Sequence, residues 1–294
     1  GHTSSWELLD ALGERSFNSW QVVVFLVLFG ILVGPVNLFV LAPSGRRHRL
    51  FFTTPLLSLG ASALMVALIL VQDGIGGVGA RIAVIEVEPQ EAAAYVTQKQ
   101  TSRTGVLFGS QFELAQPALI QPLALPDSPW VRLKNSHDSQ PVSLTQKGSS
   151  FSGNFFQSRT EQAQMIRTAV STRARLEVTP AAQPDAPPTL VSALGFTLEE
   201  MFYADAKGQV WKLTAPLATG QKAALTKAAP GELSTWWLNE AKPAHIPRLD
   251  KQLESQPNRF FGKATSAPGF LQETLGSIRW QADTLLVHGS IPPP

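Results

Sequence analysis

The side chains that could do chemistry are few and scattered. The five histidines are His2, His48, His137, His245 and His288. None has a second His, Asp or Glu at a spacing that would close on a metal ion. There is no cysteine, so thiolate metal sites and a disulfide framework are both excluded. No nucleophile elbow of the G-x-S-x-G kind is present, and no Walker A loop. The run Gly148-Ser149-Ser150-Phe151-Ser152-Gly153 is rich in Gly and Ser but lacks the lysine of a phosphate loop. Glu199-Glu200 is a carboxylate pair, yet neighbours on a strand point to opposite faces, which argues against an acid/base couple. Ser158, Arg159, Glu161 and His137 are the polar residues from which a hydrolytic site could be assembled, if the fold drew them into one cleft. Gly74, Gly76 and Gly79 match G-x-G-x-x-G. A dinucleotide fingerprint needs a strand before it and a helix after it; here the order is reversed, and the stretch reads as a flexible exit linker. The sequence thus assigns no catalytic residue, no cofactor and no metal ligand.

The stretch that organises the chain lies earlier. Residues 17–43 carry no charge, and neither do residues 50–72. A helix needs about 20 apolar residues to cross a hydrocarbon core, and both runs reach that. They predict a two-helix transmembrane hairpin over residues 17–72, with spans at about 20–41 and 50–72. The turn between them holds Arg46, Arg47, His48 and Arg49. Short loops rich in Lys and Arg stay in the cytoplasm, so Arg46, Arg47 and Arg49 set the topology. The N-terminus and the C-terminal domain then lie outside, and Trp20 is placed as an interfacial anchor. Gly30 and Gly34 form a GxxxG, which lets helix backbones approach closely. Thr54, Ser58 and Ser62 recur every four residues on the second span and make a matching stripe. Asn37 needs a polar partner in hydrocarbon and is expected at the depth of Ser58, with Gly34 near Ala61 and Ser62. This set, Gly30, Gly34, Asn37, Ser58 and Ser62, is read as helix-packing glue. Neither span holds Asp, Glu, Lys or Arg, so an ion or proton relay has no carrier. Pro35 should kink the first span.

Residues 1–16 form a short N-terminal segment, in which Trp6, Leu8, Leu9 and Leu12 make an apolar stripe suited to a membrane surface. Residues 73–80 are the Gly-rich exit linker. Residues 81–290 read as an extracytoplasmic, antiparallel β-sandwich of immunoglobulin-like or related type. Short apolar runs such as Val106-Leu107-Phe108 and Trp130-Val131-Arg132-Leu133 alternate there with Gly and Pro. Asp205-Ala206-Lys207-Gly208 is a hairpin turn. The Pro-rich stretch 180–188 is either a loop within one sandwich or a split between two units. Residues 243–255 allow one short amphipathic helix. Trp236-Trp237 and Phe155-Phe156 fit either a binding surface or the core, with the core favoured because large apolar residues lie inside. A net charge of +2 makes no electrostatic case for nucleic acid. The chain starts at Gly1, which suggests either N-terminal processing or a piece of a longer protein.

The runs Gly34-Pro35-Val36-Asn37, Arg46-Arg47-His48-Arg49 and Thr53-Thr54-Pro55 together resemble the hairpin of a set of uncharacterised bacterial membrane proteins. Residues 77–87 resemble their exit segment, and Ser158-Arg159-Thr160-Glu161-Gln162-Ala163-Gln164 is similar to a later stretch of theirs. The resemblance covers about half the chain. It implies a cell-envelope protein of the bacterial inner membrane with a periplasmic domain, and no reaction. The first expectation is therefore a non-enzymatic anchor, with the bilayer and one or more envelope proteins as partners. The alternatives are an envelope hydrolase acting on glycan or peptide, and an accessory transporter subunit that oligomerises through Gly30 and Gly34.

Overall fold

A computed structural model describes residues 8, 11–13, 19–123, 143–179, 187–241 and 257–292. They fall into two compact units. One spans residues 13–75, and the other comprises residues up to Leu12 together with those from Gly76 onward.

In the first unit, helix α1 (Ser19–Ile31) continues as a π-helical segment (Leu32–Leu41) that contains Pro35. Proline has no N–H to give, and a wider i→i+5 winding accommodates the gap. The Ala42 N–H bonds the Asn37 carbonyl at 2.9 Å in that pattern. A tight turn follows, with the Arg46 N–H on the Pro43 carbonyl at 2.8 Å and a 3-10 turn over Arg47–Arg49. Helix α2 (Leu50–Asp73) then runs for 24 residues, about 36 Å at 1.5 Å per residue. Gly74, at φ +72°, ends it. The two apolar stretches have mean hydropathies of 2.6 (Val23–Leu41) and 2.1 (Arg47–Asp73), long and apolar enough to cross a membrane. Phe25 and Phe29 stack along α1 with ring centroids 6.5 Å apart.

In the second unit the chain lays down β1 (Gly77–Glu88), β2 (Ala93–Thr104), β3 (Phe112–Glu113), β4 (Ala118–Leu123), β5 (Leu144–Lys147), β6 (Ser150–Gly153) and β7 (Glu161–Ser171). It continues with β8 (Leu176–Thr179), β9 (Thr189–Ser192), β10 (Leu198–Ala204), β11 (Val210–Leu213), β12 (Lys222–Lys227), helix α3 (Glu232–Ala241), β13 (Arg259–Ala264) and β14 (Ile278–Ser290). Eleven strands form one sheet in the order β4-β7-β2-β1-β14-β13-β10-β11-β12-β9-β8. Strands β3, β6 and β5 make a small second sheet. The large sheet is mixed, because β1 and β14 pair in parallel while its other neighbours are antiparallel. That corrects the purely antiparallel expectation.

β7 is next to one edge of the sheet and β8 is the opposite edge, yet only residues 172–175 separate them in the chain. The sheet therefore folds over. Its first core gathers Ile85 and Val87 of β1, Val96 of β2, Leu176 of β8, Leu190 of β9, Met201 of β10 and Val287 of β14. The other face of β1 supplies Ile82 and Val84 to a second core, with Phe202, Phe261 and Leu286, which α3 covers through Leu233, Trp237 and Ala241. A strand buried on both faces reads as an unbroken apolar run, and Ile82-Ala83-Val84-Ile85 is one. A third core packs the small sheet through Phe112, Phe151, Phe155 and Phe156.

Several local expectations change. Strand β1 starts at Gly77, inside the stretch read as a flexible linker. Its glycines serve close packing: a Cβ on Gly79 would lie 2.3 Å from the Trp280 ring. Leu8 is buried and Leu12 half-buried against the second core, which corrects a membrane-surface role for those two residues. Val106-Leu107-Phe108 is a loop. β8 and β9 pair on either side of the Pro-rich stretch, whose residues 180–186 lie outside the described set, as do residues 130–133, 243–255, His2, His137 and His245. Asp205 does make the β10–β11 turn, its Oδ1 accepting the N–H groups of Lys207 at 2.8 Å and Gln209 at 2.9 Å, with Gly208 at φ +79°.

The parallel pair leaves no room at Gly289, where an added Cβ would meet the Val87 carbonyl oxygen at 2.2 Å and the Phe260 ring at 3.0 Å. Gly289→Ala should destabilise the β unit by about 1–3 kcal/mol, the usual range for overpacking. Chemical denaturation of the detergent-solubilised chain, followed by tryptophan fluorescence, measures this.

Candidate functional site

Asn37 is the buried residue of the π segment, and its Nδ2 donates to Thr54 Oγ1 at 2.9 Å. The expected partner depth was that of Ser58, one turn further along. The wider winding takes more residues per turn and brings Asn37 closer to the basic turn. Ser58 is half-buried and Ser62 exposed. Gly30 and Gly34 are exposed, and a Cβ on either would meet nothing within 4 Å. The two glycines therefore do not bring α1 against α2, which corrects their assignment to packing within the hairpin. An apolar groove of about 500 Å³ lies between the helices, lined by Phe25, Phe29, Leu32, Val36, Leu57 and Ala61 among others. Arg46, Arg47 and Arg49 are all exposed in the turn.

Of the polar residues considered for hydrolysis, Ser158 and Glu161 are engaged within the fold. Ser158 Oγ accepts the Leu107 N–H at 2.9 Å. Glu161 is buried and pairs with Arg103 at 2.6 Å. His137 lies outside the described residues. Glu199 and Glu200 do diverge, Glu199 accepting from Thr265 at 2.7 Å and Glu200 from the Trp236 indole at 2.5 Å. Among the described residues no cluster of three His, Asp or Glu could hold a metal ion.

A cleft of about 780 Å³ in the β unit lies between α3 and the strands β10 and β11. Helix α3 escaped the sequence reading, which saw only its aromatics. Its signal was Pro230-Gly231-Glu232, a helix start with an acid in the first turn. Glu232 reaches back to the Ala229 N–H at 2.9 Å, as a capping carboxylate does. Its other oxygen takes Lys212 Nζ at 2.7 Å. The Lys212 hydrogen bond, then that of Ala229, holds the carboxyl below its usual range. Trp236 lines the cleft with its ring centroid 5.1 Å from that of Phe202. Nearby, Lys263 meets Glu240 at 2.8 Å, and that hydrogen bond raises the ammonium's pKa. The cleft thus offers one aromatic face among paired charges.

Beneath α3 the tandem tryptophans part. Trp237 is fully buried and sits edge-on to His288, with centroids 6.2 Å apart. Phe261 stacks on the imidazole at 6.1 Å and meets the Trp237 ring edge-on at 5.3 Å, so the three rings form one cluster. Phe155 and Phe156 are buried too, so of these four aromatics Trp236 alone reaches a cleft.

No protein-family model matches the chain, and no curated protein matches it. A solved structure of the Fcho1 Mu homology domain from Danio rerio, with a bound Eps15 peptide, aligns over 75% of this chain and 96% of that one. The identity is 12% and the TM-score 0.30. A likeness that low carries no argument about this chain.

Burial, and then the charge of Arg259, pushes the His288 pKa down to about 3. The unfolded chain binds that proton near pH 6.5 and the folded one does not. Stability should therefore fall as pH drops from 6.5 towards 3, by up to about 1.4 kcal/mol per pH unit from this group. Urea midpoints at pH 7, 6 and 5 should show the loss, and His288→Phe should flatten the part of the slope that this group contributes.

Proposed function

We propose that this chain is a membrane-anchored envelope protein of the bacterial inner membrane, related to the uncharacterised proteins that share its GPVN…TTP hairpin. The hairpin crosses the bilayer with its basic turn in the cytoplasm. The N-terminus and the β unit lie on the periplasmic side. The β unit, read as a two-layer sandwich made by one folded-over sheet, acts as a binding or assembly module, and the α3 cleft is the surface that meets a protein partner.

The observation that carries this reading is the outer surface of the two helices. Leu26, Leu28, Phe39, Val40, Phe51, Phe52, Leu59 and Val71 are all exposed, Phe51 and Val71 at 82%. Burying one such side chain is worth about 1.5–3 kcal/mol. Leaving eight of them in water forgoes about 12–24 kcal/mol, as much as the whole stability of an ordinary domain, about 5–15 kcal/mol. Lipid removes that cost, and the arginines of the turn select the orientation. A binding role is favoured over hydrolysis because Ser158 and Glu161 are engaged within the fold, and because the carboxylates and lysines around the cleft are hydrogen-bonded or ion-paired.

The native sequence has no cysteine, so one introduced thiol reports one position. A membrane-impermeant maleimide applied to intact spheroplasts should label Lys207→Cys, on the exposed β10–β11 turn, and spare Ser44→Cys until the membrane is permeabilised. The reverse pattern would overturn the orientation. Purification from native membranes in several detergents should return the chain with a constant partner, and recovery of the chain alone would count against the assembly role.

A further inference from the structure

We propose that the loop carrying Phe108 is a second membrane contact, which seats the Phe108 ring in the interfacial layer of the bilayer that the hairpin crosses. The proposal rests on the hairpin reading above.

Phe108 is 82% exposed, the most exposed large apolar residue of the β unit among those described. The loop that presents it is firmly held. The Gly76 N–H donates to the Val106 carbonyl at 3.0 Å, and the Gly105 N–H donates to the Gly76 carbonyl at 2.7 Å. The Arg159 N–H bonds the Gly105 carbonyl at 2.8 Å, and Ser158 Oγ accepts the Leu107 N–H at 2.9 Å. Leu107 itself packs on the third core. The backbone leading into Phe108 is thus fixed at residues 105, 106 and 107, and the ring that follows is exposed.

Covalent geometry identifies what covers it. Helix α2 ends at Asp73, three residues before Gly76. A chain spans at most about 3.3–3.6 Å per residue, so the Gly76 anchor lies within about 11 Å of the helix end. The end of a spanning helix is at the membrane surface, and a loop bonded directly to that anchor cannot be carried far from it. Ile75, between the two, is itself 65% exposed. Leu12, seven residues before the start of α1 in the chain, is bonded at the same end of the sheet. Arg103, one residue before the last residue of β2, donates to the Leu12 carbonyl at 3.4 Å. An apolar ring held at that level finds acyl chains and headgroups within reach, and partition of such rings into the interface is favourable. A protein partner would have to occupy the gap between bilayer and sheet to cover it instead.

Three single-cysteine forms of the full chain, each carrying an environment-sensitive NBD label, are reconstituted into liposomes containing lipids with nitroxide quenchers at a shallow or a deep acyl position. Leu64→Cys reports the middle of α2. Leu119→Cys, 59% exposed on β4, is the control. Leu119 pairs with Arg167, which pairs with Thr97, seven residues or about 24 Å along the strand from Thr104. The expected result is at least about twofold quenching of Phe108→Cys by the shallow quencher, as for an interfacial apolar group, strong quenching of Leu64→Cys by the deep one, and neither effect at Leu119→Cys. Quenching at residue 64 with a water-like signal at 108, or a signal at 108 no different from that at 119, overturns the loop contact and leaves the hairpin standing. Absence of quenching at all three positions removes the hairpin reading and the loop contact together.

Discussion

The parallel pairing of β1 with β14 is the constraint on which the β unit depends. It joins the first strand after the hairpin to the last strand, running from Gly77 against Ile278 to Val87 against Gly289. It lies in the middle of the sheet, with β2 and β7 on one side and β13 and β10 on the other. Because β1 is buried on both faces, each of the two main cores needs it. Ile85 and Val87 feed one, and Ile82 and Val84 the other. The fold of the β unit cannot be completed until the C-terminal strand β14 pairs with β1.

The register of this pair is locked by charge as well as by apolar packing. Arg81 is buried and grips Asp283 through Nε at 2.6 Å and Nη2 at 2.9 Å, with Nη1 on Glu273 at 2.8 Å. Its guanidinium also lies 5.2 Å from the Trp280 ring centroid. Burial opposes the charge, but the hydrogen bonds of Asp283 and then Glu273 outweigh it and raise the pKa. A buried ion pair of this kind adds little net stability against an apolar replacement, yet losing one partner is costly. We read it as a device for register, since a slip of one residue would strand the cation. Beside it a chain of amides runs through the interior: the Gln98 amide exchanges bonds with the Gln272 backbone at 2.9 Å, Gln98 donates to Gln100 at 3.0 Å, Gln100 donates to Gln164 at 2.6 Å, and Gln164 donates to the Phe155 carbonyl. Buried polar groups that are satisfied in this way specify one arrangement of strands.

These polar interiors explain why parts of the fold were hidden from a reading of the sequence. β7 and the second half of β2 present glutamines, threonines and two arginines where a half-buried strand is expected to alternate apolar with polar. Gln164, Gln98 and Gln100 are buried only because they bond one another across neighbouring strands. The cleft was partly legible. Trp236-Trp237 stood out as an aromatic pair, but the helical phase that turns Trp237 into the core and leaves Trp236 at the cleft is set by packing against Phe202 and Phe261. In the hairpin the polar stripe was visible and Asn37 found a partner on it, while Gly30 and Gly34 turned outward.

What the sequence by itself determined is what local physics decides. Two uncharged runs of spanning length, a basic turn between them, and the Asp205–Gly208 hairpin each depend on residues close in the chain. A helix satisfies its own backbone within a few residues, so hydropathy over one window is enough to place it. Sheets are different, because every strand must find a partner that can lie anywhere in the chain. The parallel joining of β1 to β14, the meeting of β7 and β8 across a folded sheet, and the contrast between a buried Phe151 and an exposed Phe108 were decided only by tertiary structure. Pairing and burial of this kind are properties of contacts between distant segments, and no short stretch of sequence carries them.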